Sequence, residues 1–224
     1  MGKMTIGQMI DQLGSGMLIS TQIFVITLLF SLPLGLVVAF GRMSKNRVIS
    51  MIVKFYISIM RGTPLMLQLM VVYFGPYYLF HIKVGSSYRL TATFIGFVIN
   101  YAAYFAEIYR SGIVSMDRGQ YEAAKLLGYS KGQTFVRIIL PQVVKRILPA
   151  ITNEVITLVK DTSLSRIIAL QEIIWAGQAF LKGTQGISGA IWPLFFTGIY
   201  YLIFSGLLTL ALGKLEKKLD YFKA

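Results

Sequence analysis

Long apolar runs separated by short basic segments dominate the chain. Residues 12–41, 62–80 and 183–213 carry no formally charged side chain, lengths of 30, 19 and 31 residues. A helix needs about 20 apolar residues to cross the hydrocarbon core of a bilayer, so each run can do so. Together with the weaker runs between them, the pattern predicts five spans, at about 17–41, 62–80, 90–110, 147–162 and 191–213. Pro33 and Gly35 predict a bend in the first, of the kind that neighbouring helices tolerate. The fourth is the most polar, because Glu154, Lys160 and Asp161 interrupt it. Trp192-Pro193 opens the fifth, an interfacial aromatic before a helix-starting proline. Between the last two, residues 163–180 are amphipathic and too polar to span, which suits a re-entrant or surface helix. The predicted fold is all-α: a polytopic membrane protein with five transmembrane helices in one domain over residues 1–224.

Composition agrees. Of the 224 residues 55% are hydrophobic and 14% charged, against roughly 25% charged in a soluble chain. The net charge of +13 points in a soluble protein to nucleic acid; here it reads instead as the bias of Lys and Arg towards cytoplasmic loops, and no nucleic-acid partner is expected. With alternating helices, sixteen of the 22 basic residues fall on one side: Arg42 to Arg61, Arg110 to Arg146, and Lys214 to Lys223. The other side receives Lys3, Lys83, Arg89, Lys160, Arg166 and Lys182. This asymmetry places the N-terminus outside and the C-terminus in the cytoplasm. The first apolar run is too long for the core of a cleavable signal peptide. With no cysteine and a lone His81 near the end of an apolar run, neither a disulfide nor a metal site is expected.

The most informative stretch is the connection over about 115–141. Gln120 to Leu127 consists of good helix formers, Gly128 is placed to end that helix as a C-terminal cap, a second short helix runs through Arg137, and Pro141 opens the next element. A short helix with small residues on one face suits a groove in another protein, and a carboxylate such as Glu122 supplies an orienting contact.

Glu122-Ala123-Ala124, three residues, Gly128, nine residues and then Ile138-x-Leu140-Pro141 resembles the EAA coupling-helix loop of type I ATP-binding-cassette importer permeases. Arg61-Gly62-Thr63-Pro64-Leu65-Met66-Leu67-Gln68, Ala103-Tyr104-x2-Glu107-Ile108-x-Arg110-x-Gly112 and Lys160-Asp161-Thr162-Ser163-Leu164 are similar to signatures of its polar amino acid uptake branch. The resemblance covers roughly residues 15–222; Tyr104-Phe105-Ala106 departs from it, with bulkier side chains than that stretch commonly carries. It implies a permease subunit in a bacterial inner (plasma) membrane, working in a dimer with an identical or paralogous second permease. Two copies of a cytoplasmic ATP-binding-cassette ATPase dock on the loops, through Glu122, Ala123, Ala124 and Gly128 here. An external solute-binding protein delivers an amino acid substrate. No G-x-x-x-x-G-K-[ST] phosphate loop occurs in the sequence, so the chain is not expected to be an enzyme or to hold a cofactor; ATP and Mg belong to the partner. The competing reading is an ion-coupled secondary amino acid transporter using Glu107 and Asp161 as proton relays.

Polar residues at membrane depth are costly and usually functional. Asn100, Tyr104 and Glu107 stand at i, i+4 and i+7, and Glu154 and Asp161 at i and i+7. Seven residues turn a helix through nearly two revolutions, so each set forms one stripe. Facing a common cavity, carboxylates would take an α-ammonium or cationic side chain, and Asn100 an α-carboxylate. Local alternatives stay open. Glu107 can pair with Arg110 one turn on, Asp161 can cap the following turn, Lys160 can snorkel to the surface, and Arg61-Gly62-Thr63-Pro64 can be an interfacial anchor and helix start.

Overall fold

The computed structural model describes residues 6–183 and 188–219, and everything regular among them is helical. Lys3 and Lys223, counted in the charge asymmetry, lie outside the described residues, as do the side chains of Lys182, Trp192 and Pro193. α1 (Ile6–Arg42) and α4 (Tyr88–Val114) contain the first and third predicted spans, and α9 (Ser188–Leu219) contains the fifth. By length and apolarity three described helices can cross a membrane, with a fourth if α2 (Arg47–Gly62) and α3 (Leu65–Phe80) count together as one broken span. Residues 147–162 fall in α7 (Leu140–Asp161), whose charged side chains keep it outside that group. Pro33 sits inside an uninterrupted α1, where the Tyr109 hydroxyl of α4 donates to the Leu32 carbonyl at 3.3 Å.

The basic stretch before the second span, read as a loop, is the helix α2. Asn46 starts it by accepting from the Val48 and Ile49 amides at 2.9 and 3.4 Å. It stops at Thr63 because Pro64 follows: a residue before proline is driven out of the helical region, and Thr63 is extended at φ −122°, ψ 148°. α3 leaves at 108° to α2. A break in an apolar span frees backbone groups that lipid cannot satisfy, and here two buried amides do so. Gln68 Nε2 donates to the carbonyls of Met60 and Thr63 and to Thr63 Oγ1, at 3.0, 3.1 and 2.9 Å. Asn100 Nδ2 from α4 donates to the same Met60 carbonyl at 3.1 Å and to Gln68 Oε1 at 2.9 Å.

α4 is the central helix. Its small residues let α1 approach closely, the usual means of packing membrane helices: a Cβ on Gly35 of α1 would lie 2.8 Å from Phe105 Cβ and 3.1 Å from the Ala102 carbonyl. Ala39, Ala103 and Ala106 are fully buried at the same seam. Continuous with it through Phe105, Ile23, Leu69, Phe97, Leu158 and Ile168 form the main core, joining α1, α3, α4 and α7 to the 3-10 segment Thr162–Ile168. Residues 163–180 become that segment, a left-handed Ala169 at φ 58°, and α8 (Ile173–Gly183). Glu172 starts α8 from a fully buried position, accepting from the Ile174 and Trp175 amides at 2.7 and 2.8 Å.

Replacing Gly35 by valine inserts side-chain atoms where backbones meet and is expected to cost about 1–3 kcal/mol, read as a lower unfolding temperature in detergent. Gly14→Ala, with nothing within 4 Å of the new Cβ, is expected to leave that temperature unchanged or higher. Equal losses in both variants would show that the seam is not what makes the first sensitive.

Candidate functional site

The broken span brings a cation to a cluster of polar groups. Arg61, in the last turn of α2, lies with its guanidinium carbon 5.3 Å from the centre of the Tyr104 ring of α4, within the range of a cation–π contact. From α7, Glu154 and Asp161 turn to the same region: the Tyr101 hydroxyl donates to Asp161 Oδ2 at 2.8 Å. Glu154 is half-buried and feels the charges of both Asp161 and Arg61. Tyr101 and Tyr104 are neighbours, their ring centres 6.2 Å apart. The cluster therefore sets two carboxylates and two phenols against one guanidinium, with Lys160 exposed beside Asp161. Such a set can hold a molecule carrying both signs of charge.

Of the five residues expected to line a cavity, Tyr104, Glu154 and Asp161 come together. Asn100 lies behind them, 4% exposed, with its amide hydrogens on Met60 and Gln68 at the break. Glu107 is bound by Arg110 on its own helix through contacts of 2.8, 3.0 and 3.1 Å, the pairing that its three-residue spacing allows. Asp161, the residue before the 3-10 segment, makes no side-chain cap to it; its carboxylate goes to Tyr101 instead. Tyr101 and Arg61 were missing from the expected set. A mid-span tyrosine signals a hydroxyl in search of a partner, but the partner, 60 residues away, is not a local feature.

The second feature is the connection from α4 to α7. α5 (Arg118–Leu126) is capped at both ends: Asp117 accepts from the Gly119 amide at 2.8 Å, and Gly128 takes φ +79° as the Tyr129 amide reaches back to the Ala124 carbonyl at 3.0 Å. A capping box of Ser130 and Gln133 starts α6 (Lys131–Thr134), a π-helical turn follows over Phe135–Ile139, and Pro141 sits in the first turn of α7. Ala124 is buried at 1% exposure, while Glu122 and Ala123 face outward. Leu126 and Leu127 are 90% and 75% exposed, so the end of a well-capped helix offers two uncovered leucines next to a carboxylate.

Residues 31–221 match the family described as the binding-protein-dependent transport system inner membrane component. The chain belongs to that family. The permease is 35% identical over 204 residues to a protein described as a glutamine transport system permease of Rickettsia bellii, covering 91% of each chain. It is 36% identical over 204 residues to the arginine transport system permease protein of Bacillus subtilis, covering 91% of this chain and 90% of that one. Its fold is similar to a crystal structure of an amino acid ABC transporter with histidines, with a TM-score of 0.82 at 26% identity over 97% of this chain and all of the other. It is also similar in fold to an inward-facing methionine ABC transporter, with a TM-score of 0.68 at 16% identity over 97% of this chain and all of that one. The permease family match gives the competing ion-coupled carrier no support.

Tyr101→Phe removes one hydrogen bond to a carboxylate, about 1.5–3 kcal/mol, and is expected to raise hydrogen exchange in the last turn of α7 and the 3-10 segment while leaving α1 unchanged. Exchange equal to the parent protein would mean that this bond does not hold α7 to α4.

Proposed function

We propose that the permease lines the pathway of an ATP-driven importer for polar or charged amino acids and is driven by an ATPase docked on α5. What carries the coupling half of this reading is the exposed end of α5. Its caps and the buried Ala124 hold the helix against the permease, yet Leu126 and Leu127 stand 90% and 75% exposed beside the outward Glu122, a face that a protein groove would cover. Glu122 and Ala123 enter that groove, Ala124 holds the helix to the permease, and Gly128 ends it. Two ATPase subunits bind ATP and Mg, one on each of two permease subunits, and an external binding protein supplies the substrate. In the inner membrane the basic segments face the cytoplasm and the N-terminus faces outward.

In the pathway, Glu154 and Asp161 receive the α-ammonium or a cationic side chain, and Tyr104 and Arg61 border the space the rest of the molecule fills. Asn100 contributes by holding the break that sets Arg61 in place, and Glu107 by balancing Arg110. Relatives described as permeases for glutamine, arginine and L-cystine support an amino acid as the cargo. Movement of α5 with the ATPase dimer opens the space to one side and then the other by rigid-body tilting.

Glu154→Gln and Asp161→Asn are each expected to lower uptake of labelled arginine or glutamine roughly tenfold or more, the scale of a lost charge-assisted hydrogen bond; parent-level uptake in both variants removes these residues from the substrate site. Glu122→Lys is expected to leave membrane insertion intact and to weaken ATPase retention during purification roughly tenfold, through a reversed interface charge. Unchanged co-purification and ATP hydrolysis would move the docking contact elsewhere.

A further inference from the structure

α5 presents opposite faces to its surroundings. Glu122 points outward, while Gln120 and Ala124, one helical turn apart, point back at the permease. Gln120 meets Gln142 of α7 in a reciprocal pair: Gln120 Nε2 donates to Gln142 Oε1 at 2.9 Å, and Gln142 Nε2 donates to Gln120 Oε1 at 2.7 Å. Two parallel bonds between planar amides fix orientation as well as distance, where a single bond would let one helix swivel on the other. Gln142 is itself held, since its Nε2 also donates to the Ile138 carbonyl at 2.8 Å.

The same face of α7 grips the approach to α5. One turn after Gln142, Arg146 Nη1 donates to the Ser115 carbonyl at 2.7 Å and to Ser115 Oγ at 3.1 Å. One residue further, Ile147 fills the space in which Gly112 has no side chain. Met116, Ile139 and Val143 are buried together between these contacts. The end of α4, α5 and the first turns of α7 thus form one block. α7 continues from it to Glu154 and Asp161; at 1.5 Å per residue, Asp161 lies about 28 Å along the helix from Gln142.

We infer that Gln120 and Gln142 are positioning residues for transport: their paired amides lock α5 to α7, so that a displacement of α5 arrives at Glu154 and Asp161 instead of dissipating in a loose joint. This rests on the proposal that an ATPase drives α5. Neither glutamine supplies a cap of α5, whose caps are at Asp117 and Gly128, and neither lies on its outward, docking face. Loss of the pair therefore spares docking and impairs transmission.

The test uses the permease purified with its ATPase and binding protein and reconstituted in liposomes, with uptake of labelled arginine and labelled glutamine measured separately alongside ATP hydrolysis. Gln120→Leu and Gln142→Leu are expected to retain the ATPase and its basal hydrolysis within about twofold, while uptake per ATP hydrolysed falls about fivefold or more; a fall confined to folding would lower hydrolysis and uptake together. The chain has no cysteine, so Gln120→Cys with Gln142→Cys creates the only thiol pair in the permease for a short bifunctional thiol reagent, applied before the ATPase and binding protein are added. Without cross-linking this double variant is expected to be uncoupled, and cross-linking is expected to restore uptake per ATP to near the parent value. The inference is overturned by unchanged coupling in the leucine variants, by loss of ATPase retention in them, or by a cross-link that blocks transport, which would mean that α5 and α7 must separate. If the unaltered permease itself fails to retain an ATPase, the fault lies in the proposed function and not in the amide pair.

Discussion

A helix broken inside an apolar environment survives only if the backbone groups freed by the break find partners within the protein, and in this permease two amide side chains provide them. Gln68 reaches back across Thr63-Pro64 to the end of α2, and Asn100 reaches over from α4 to the same Met60 carbonyl and to Gln68 itself. Asn100 and Gln68 are 4% and 8% exposed. An unsatisfied polar group in such a place costs about 1–3 kcal/mol; removing Asn100 takes the donor from Gln68 Oε1, and removing Gln68 leaves Asn100 Nδ2 only the Met60 carbonyl. The break leaves the last turn of α2, and with it Arg61, beside α4 rather than carrying the helix past it. The cation over Tyr104, and its electrostatic reach to Glu107 and Glu154, follow from that stop.

Two kinds of contact then divide the molecule. Along α4 the seam with α1 is close and mostly apolar, with Gly35 facing Ala102 and Phe105, alanines buried on both sides and one hydrogen bond, from Tyr109 to the Leu32 carbonyl. Its contacts with α2 and with the far part of α7 are polar or mixed: Asn100 to Met60, the Tyr56 hydroxyl to the Ile99 carbonyl, and Tyr101 to Asp161. Dense backbone-to-backbone packing has few alternative arrangements. Hydrogen-bonded side chains on longer arms can exchange partners at smaller cost. The arrangement gives α1 and α4 the character of a frame, and α2 and the far part of α7 that of parts held to it by specific polar ties.

Much of this was legible in the residues because it is local. Charge-free runs marked α1, α4 and α9; the helix formers after Asp117 and the glycine at 128 marked α5; the spacing of Glu107 and Arg110 offered the ion pair that forms. α2 was hidden by its charges. Arg47, Lys54 and Arg61 recur every seven residues and so share one stripe, leaving Val48, Met51, Ile52, Phe55 and Ile59 exposed on another face and Val53, Ile57 and Met60 turned inward. Read as a list of basic residues the segment resembles a loop; read by angle it is a three-faced helix. The function of Asn100 was not legible for a different reason. Its position on the stripe is local, but its partners lie 32 and 40 residues earlier, and no periodicity encodes where a neighbouring helix will break.

The same distinction separates Asp161 from Glu107. Both are carboxylates on predicted stripes, and both had a local alternative. For Glu107 the local partner prevailed because Arg110 is a full charge one turn away and needs no other helix. For Asp161 the local use, capping the turn that follows, offered only neutral amides in a 3-10 segment, and the Thr162, Ser163 and Ser165 hydroxyls there are already turned to carbonyls of the chain itself. Its carboxylate is therefore free to accept from Tyr101, and it draws Glu154 into the same field, two acids on one face of α7 with Arg61 opposite. Two carboxylates so placed disfavour each other's charge, and a cationic group near both relieves that repulsion. On the proposed reading, cargo rather than the protein would complete the electrostatics of this cluster.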